Sequence, residues 1–124
     1  MTPHRRGFLA TLALLVALGL SGCATPQPLE PRELRYSAPM EQTFSEAVAL
    51  MMEQGYVIRH ADLTLGRAEA SLARWPGYRI QLQVSEAPGG SLVSVSALRG
   101  SQPIPPYVLD PWLVELQAKL GELP

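Results

Sequence analysis

Apolar and polar residues recur with a helical period just after residue 40, and this pattern predicts the first helix. The apolar positions are Phe44, Ala47, Val48 and Met51. Thr43 and Glu46 have the spacing of a capping box, in which each side chain bonds the other residue's backbone N–H. Gly55 follows, and glycine is the residue that most often ends a helix. The pattern predicts a helix from about 43 to 54, with an earlier start near Pro39 also allowed.

Strict alternation then replaces the helical period and predicts β-strands. In the clearest segment, residues 78–85, the apolar positions are Tyr78, Ile80, Leu82 and Val84. A second alternating segment covers 93–98, and Pro88-Gly89-Gly90 between the two is typical of a hairpin connection. Weaker strand patterns cover 34–37, 56–60 and 66–72. Clean alternation indicates an antiparallel sheet with one buried and one wet face.

The C-terminal pattern returns to a helix. Residues 101–106, SQPIPP, break the sheet pattern, and Asp110-Pro111 resembles an N-cap followed by proline at the first helical position. Apolar residues then recur at Leu113, Leu116 and Leu120. Together the elements predict an α+β, two-layer domain over residues 34–124, with an antiparallel sheet of about four strands and two helices on one face.

The N-terminus has the three parts of a secretory signal peptide. Arg5 and Arg6 precede an apolar run over residues 8–20, and small residues follow it. As a helix, this run would be only about 20 Å long, which is too short to cross roughly 30 Å of bilayer hydrocarbon comfortably. We therefore expect residues 1–22 to be a signal peptide that is removed.

Leu20-Ser21-Gly22-Cys23 resembles the lipobox of bacterial lipoproteins at every position. The resemblance implies diacylglycerol on Cys23, cleavage before it, and a membrane-lipid anchor. Cys23 is the only cysteine in the chain, so a disulfide within the chain is excluded. The alternative is an ordinary signal peptide with a chance cysteine. Two or three acyl chains make a stable anchor where one chain does not.

The export route and the final membrane are further expectations from resemblance. Arg5-Arg6-Gly7-Phe8-Leu9 resembles a twin-arginine signal, although His4 and Ala10 depart from that pattern, so the general secretory route stays open. In Gram-negative lipoproteins an Asp after the cysteine is associated with inner-membrane retention, and Ala24 stands there instead. This implies a lipid-anchored protein of the cell envelope, in the inner leaflet of the outer membrane and facing the periplasm. Residues 23–33 are rich in proline and predict an extended tether.

Charge excludes one class of partner. The chain has ten Lys and Arg and eleven Asp and Glu, and removing Arg5 and Arg6 leaves 8 − 11 = −3. This balance offers no basic surface for nucleic acid. It also argues against a domain held to anionic lipid by its overall charge.

The order of helix, strand meander and C-terminal helix, behind a lipobox and a tether, resembles the helix-grip domains of small Gram-negative envelope lipoproteins. The segment Phe44…Glu53-Gln54-Gly55-Tyr56 is similar to the helix-to-strand junction in such proteins. The resemblance covers about residues 40–98. It implies a fold, and it carries over no catalytic or binding residues.

No set of residues predicts a catalytic site, a metal site or a cofactor. His60 is the only histidine after residue 22, whereas a zinc site needs three or four ligands. No serine lies in a Gly-x-Ser-x-Gly context, and Gly89-Gly90 lacks the lysine of a phosphate-binding loop. We therefore expect a protein that is not an enzyme.

The candidate interaction residues are aromatic or lie on the wet face of the sheet. They are Trp75, Tyr78, Arg79, Gln81, Gln83 and Trp112. For the aromatic rings, packing against the open edge of a small core is the competing interpretation. The leading hypothesis is an adaptor that docks onto another envelope protein. The alternative is a lipoprotein that binds a lipid or a small apolar ligand between helices and sheet, with Met40, Met51 and Met52 lining the pocket.

Overall fold

The computed structural model describes residues 30–122. The predicted signal peptide, Cys23 and the tether up to residue 29 lie outside the described residues. The strands are β1 (Arg32–Tyr36), β2 (Val57–Asp62), β3 (Arg67–Leu72), β4 (Tyr78–Ala87), β5 (Gly90–Arg99) and β6 (Gln102–Pro103). The helices are α1 (Met40–Glu53) and α2 (Asp110–Lys119), and a 3-10 turn covers Pro106–Leu109.

The strands form one antiparallel sheet in the order β1-β5-β4-β3-β2, with β6 also paired to β5. Since β4 lies along one side of β5, both β1 and β6 lie along the other. The predicted α+β class with two helices on an antiparallel sheet is confirmed, but six strands replace the expected four or so. The weak strand pattern over 34–37 is confirmed as β1, which begins two residues earlier, at Arg32, inside the predicted tether. The strand without a predicted counterpart is β6, which forms within the segment predicted to break the sheet.

The hydrophobic core lies between the helices and one face of the sheet. The alternation in β4 and β5 places one set of side chains on that face: Ile80, Leu82, Val84, Val93, Val95 and Ala97. Both helices pack against this set, α1 through Phe44, Ala47, Leu50 and Met51, and α2 through Trp112, Leu113 and Leu116. Burial of these side chains at about 25 cal/mol per Å² is the main source of the domain's stability.

Thr43 does not cap α1. The helix begins at Met40 with Pro39 as N-cap, so Thr43 lies in its first turn and is fully buried. Its hydroxyl is 2.8 Å from the hydroxyl of Ser91, and the carbonyl oxygen of Ala38 lies 2.8 Å from the Ser91 hydroxyl and 3.3 Å from the Thr43 hydroxyl. The two hydroxyl protons therefore serve three close contacts. The predicted capping box is therefore wrong, and Thr43 instead joins α1 to β5 through a buried polar contact.

Asp110 does not act as the N-cap of α2 either. The 3-10 turn leads directly into α2, so Leu109 is the N-cap and Asp110 is the first helical residue. Its carboxylate accepts hydrogen bonds from Arg32 Nε at 2.6 Å and from Arg32 Nη2 at 3.2 Å. This paired contact ties α2 to the first residue of β1, and the negative charge also suits a helix N-terminus.

Candidate interaction surface

The face of the sheet opposite the helices carries mainly polar side chains that are exposed or half-buried, with the apolar Val57, Leu92 and Leu98 towards its ends. We call it the open face. Strand register places the following residues on it: Glu33, Arg35, His60, Arg67, Glu69, Arg79, Gln81, Gln83, Ser94 and Ser96. Both helices pack on the opposite face. Among residues 30–122, none of these side chains belongs to the hydrophobic core.

The centre of the open face is a shallow depression of about 380 Å³. The side chains of Gln81, Gln83, Ser94 and Ser96 lie at its floor, and His60 lies towards the β2 side. These groups offer both donors and acceptors, so the depression suits a polar partner surface.

Charges of both signs surround the depression. Arg67 and Glu69 line it from β3, and Arg79 Nε lies 3.4 Å from Glu69 Oε1. Both members of that pair are well exposed, so it adds little to stability. The charges remain accessible to a partner, and such charges contribute more to specificity and association rate than to affinity.

A second, smaller cavity of about 230 Å³ lies at the edge of β5, between β1 and β6. β1 pairs with β5 up to Val95, and β6 pairs with it from Leu98, which leaves a gap at Ser96 and Ala97. The amide of Ile104 donates to the Ala97 carbonyl at 2.9 Å and brings the proline-rich segment over the gap. The lining is mainly apolar, but the volume lies below the usual range for ligand pockets.

Three of the candidate residues predicted from the sequence lie together. Arg79, Gln81 and Gln83 are all exposed on the open face, at successive outward positions of β4. Tyr78 lies at the start of β4 on the helix side and is half-buried. Trp75 lies outside the sheet, in the β3–β4 loop, and is 91% exposed.

Trp112 is not a surface residue. It is only 6% exposed, because the first turn of α2 directs its ring into the core. Its role as a candidate interaction residue is therefore corrected to core packing, which was the competing interpretation. Among the described residues its indole Nε1 has no hydrogen-bond partner.

Two tyrosines have raised pKa values, and both stay neutral donors at physiological pH. Burial is the main cause for Tyr36, and the negative charge of Glu122 raises the pKa further. The buried Tyr36 hydroxyl donates to the Leu113 carbonyl at 2.7 Å, which joins β1 to α2. Burial also raises the pKa of Tyr56, with a smaller contribution from Tyr78.

The methionines predicted for a ligand pocket do not share one. Met51 is fully buried in the core, and Met52 is 60% exposed at the end of α1. Met40 packs at the edge of the core. None of the three lines either of the two cavities described above.

Sequence reasoning missed parts of both cavities. Alternation placed Arg67 and Glu69 together on one side of a strand, but only the register with β4 brings them beside Gln83 and Gln81. The edge cavity had no signal in the sequence, because it depends on where β1 stops and β6 starts along β5.

Comparison with known proteins gives no assignment: no protein-family model matches the chain, and no curated protein matches it. Within residues 30–122, no group of three or more His, Cys, Asp and Glu side chains is placed to hold a metal ion. In the same range no helix has the length and apolarity needed to cross a membrane.

Proposed function

We propose that this protein is a lipid-anchored adaptor of the cell envelope, and that the open face of its sheet docks onto another envelope protein. The observation that supports docking is the contrast between the two sheet faces. One face is covered by both helices, and the other presents exposed glutamines, serines and charged residues around a depression of about 380 Å³. The anchor rests on the resemblance of residues 20–23 to a lipobox.

The chemistry of the depression favours a protein partner over an apolar small molecule. Gln81, Gln83 and Ser94 offer hydrogen bonds at positions fixed by the sheet. Protein interfaces form on the order of one hydrogen bond per 100–200 Å², and their rims are polar. An apolar ligand would leave these groups without partners, which costs free energy.

The same observations support a function without catalysis. His60 is exposed on β2 and pairs in register with Glu69, while Arg67 lies nearby on β3. His60 is exposed rather than buried. We therefore assign His60 to the polar lining of the docking surface.

The test is crosslinking in cells of tagged, lipidated protein, with captured proteins identified by mass spectrometry. Replacing Gln81 and Gln83 by glutamate adds two negative charges to the open face without touching the core. The matched control places the same two charges on the exposed surface of α1, as Gln42→Glu and Ser45→Glu. A Cys23→Ser variant tests the anchor.

We expect one envelope protein to be captured by the parent and by the α1 control. Capture should be lost with the open-face variant, and with Cys23→Ser if the anchor brings the two proteins together. Equal capture by both charge variants would contradict docking at the open face. Capture unchanged in Cys23→Ser, with that variant still processed and held in the membrane fraction, would contradict the lipid anchor.

A further inference from the structure

One end of the domain combines the entry point of the tether with exposed aromatic and cationic residues. β1 runs antiparallel to β5, and Arg32 lies opposite Val95, so the start of β1 points towards the end of the sheet where β4 begins and β5 ends. Glu30 lines the edge cavity beside Arg79 and Leu98. The chain therefore enters the domain at this end, which we call the tether end.

Trp75 lies at the same end. The loop that carries it precedes Tyr78, which pairs with Arg99 at the last position of the β4–β5 ladder. The amide of Gly100 donates to the Gly77 carbonyl at 2.7 Å, so this loop and the β5–β6 turn lie side by side. Trp75 is 91% exposed, the most exposed of the large hydrophobic residues described.

A second aromatic ring and two arginines also lie at the tether end. Tyr107 is 68% exposed on the 3-10 turn, whose Pro106 lines the same cavity as Glu30. Arg74 and Arg99 are exposed at the tether end, and neither forms an ion pair with another residue in the range 30–122. Trp and Tyr are enriched at membrane–water interfaces, and arginines near the surface are attracted to anionic lipids.

The length of the tether keeps this end near the bilayer. Six residues lie between Cys23 and Glu30. Even when fully extended, the seven Cα–Cα steps from Cys23 to Glu30 span only about 25 Å. The ten-residue strands β4 and β5 are about 30 Å long. The tether thus limits the distance of the tether end from the bilayer. With the strands upright, the opposite end of the sheet lies about 30 Å farther from the bilayer.

We propose that the tether end rests on the bilayer surface, with Trp75 at the lipid headgroups and Tyr107, Arg74 and Arg99 beside it. This contact depends on the lipid anchor of the proposed function. The net charge of −3 over residues 23–124 does not favour anionic lipid, so the attraction at this end is local: the two arginines, Arg74 and Arg99, outnumber Glu30, and within residues 30–122 all three are unpaired. The contact would hold the sheet upright and keep the open face free for its partner.

The test is quenching of tryptophan fluorescence by lipids brominated on their acyl chains. Lipidated protein is reconstituted into vesicles of phosphatidylethanolamine and phosphatidylglycerol, with and without brominated phosphatidylcholine. The chain has two tryptophans, and Trp112 is buried, so the difference between the parent and Trp75→Phe isolates the Trp75 emission. A matched control moves the exposed indole to the opposite end, as Leu65→Trp in the Trp75→Phe background.

We expect the Trp75 emission to fall about twofold or more with brominated lipid. The emission of the Leu65→Trp control should stay nearly unchanged, although Leu65 is also 57% exposed. Flotation of the same vesicles separates the two proposals. Protein that does not float with the vesicles overturns the anchor and this contact together. Protein that floats but leaves Trp75 unquenched, as a loop reserved for a protein partner would, overturns only the membrane contact.

Replacing the arginines separates their contribution from that of the ring. Arg74→Gln with Arg99→Gln should reduce the quenching of Trp75 in vesicles that contain phosphatidylglycerol. The matched control, Arg35→Gln with Arg67→Gln, removes two exposed arginines away from the tether end and should leave quenching unchanged. An equal reduction with both pairs would refute the role of the arginines at this end.

Discussion

Gly66 holds the β2–β3 turn against β4, and alanine at this position should destabilise the domain strongly. The glycine has a φ of +65°, and a Cβ added to it would lie 2.0 Å from the carbonyl oxygen of Val84. The Val84 amide donates to the Gly66 carbonyl at 2.7 Å, so the two backbones are joined where the Cβ would collide. The same Cβ would lie 2.7 Å from the terminal methyl of Met40.

The magnitude follows from two contributions. A left-handed conformation costs an alanine about 1–2 kcal/mol. The collision must open by about 1 Å to reach the closest distance seen for real Cβ atoms, near 3.0 Å, and this breaks or weakens the Val84–Gly66 hydrogen bond. That loss adds about 1 kcal/mol, and displacement of Met40 adds to it. We expect Gly66→Ala to lower the free energy of unfolding by about 3 kcal/mol.

Gly89 supplies the matched control. Its φ is +79°, but a Cβ there would have no heavy atom within 4 Å. Gly89→Ala should therefore lose only the conformational contribution, about 1–2 kcal/mol. Asparagine, which tolerates left-handed backbone, should be nearly neutral at Gly89 and still costly at Gly66.

Urea denaturation of the mature chain with Cys23→Ser measures these differences, with circular dichroism as the signal. At unchanged slope, the midpoint should shift more for each Gly66 variant than for its Gly89 counterpart. Should Gly66→Ala fail to fold, the asparagine pair carries the comparison. Equal losses at the two positions would refute the close approach of the turn to β4.

Three further perturbations test the packing. Tyr36→Phe should cost about 1 kcal/mol at pH 7 through the lost hydrogen bond. Burial raises the pKa of Tyr36 in the folded state, so the neutral phenol stabilises the fold fully below pH 10, and this stabilisation is lost as the pH rises further. The free energy of unfolding, measured against pH, should therefore fall less steeply above pH 10 in the variant than in the parent. Trp112→Ala should cost about 3–5 kcal/mol in urea denaturation, whereas Trp75→Ala should stay within about 0.5, and similar losses would contradict their assigned burial. Thr43→Val and Ser91→Ala should each cost about 1 kcal/mol, and a double-mutant cycle that shows no coupling would contradict their contact.

The periodicity of the sequence predicted which segments are helices and which are strands, because each buries its regularly spaced apolar residues between the helix layer and the sheet. Ile80, Leu82 and Val84 alternate with polar residues on β4, and the structure buries all three. The same alternation predicted that Gln81 and Gln83 lie on a wet face. At these positions the local pattern agrees with the burial in the folded domain, so the pattern alone was sufficient to predict which side chains are buried and which are exposed.

The helix caps predicted from local motifs were wrong where the same side chains make tertiary contacts instead. Thr43 had the spacing of a capping residue, but the helix starts one turn earlier, with Pro39 as its N-cap. The Thr43 hydroxyl instead contacts the Ser91 hydroxyl. Asp110 resembled a cap, but Arg32, 78 positions away, pairs with its carboxylate. Contacts of this kind form between residues that are far apart in the sequence. They depend on how the strands and helices are arranged, which local patterns do not specify.

The aromatic residues show the same limit. Trp75 and Trp112 both stood at the border of a predicted element, and composition gave no way to separate them. Their exposed fractions are 91% and 6%, because one lies in a loop beyond the sheet and the other on the inner side of α2. The candidate surface therefore follows from topology as much as from residue type.

Docking through the open face is tested most directly by position-specific photocrosslinking in cells. A photoreactive amino acid replaces Gln81, at the centre of the open face, or Ser45, exposed on α1, in the lipidated protein. We predict that the probe at position 81 crosslinks to one envelope protein, that the probe at 45 does not, and that Gln83→Glu weakens the product at 81. The same product from both positions, or none from position 81 in correctly lipidated and folded protein, would contradict docking through the open face.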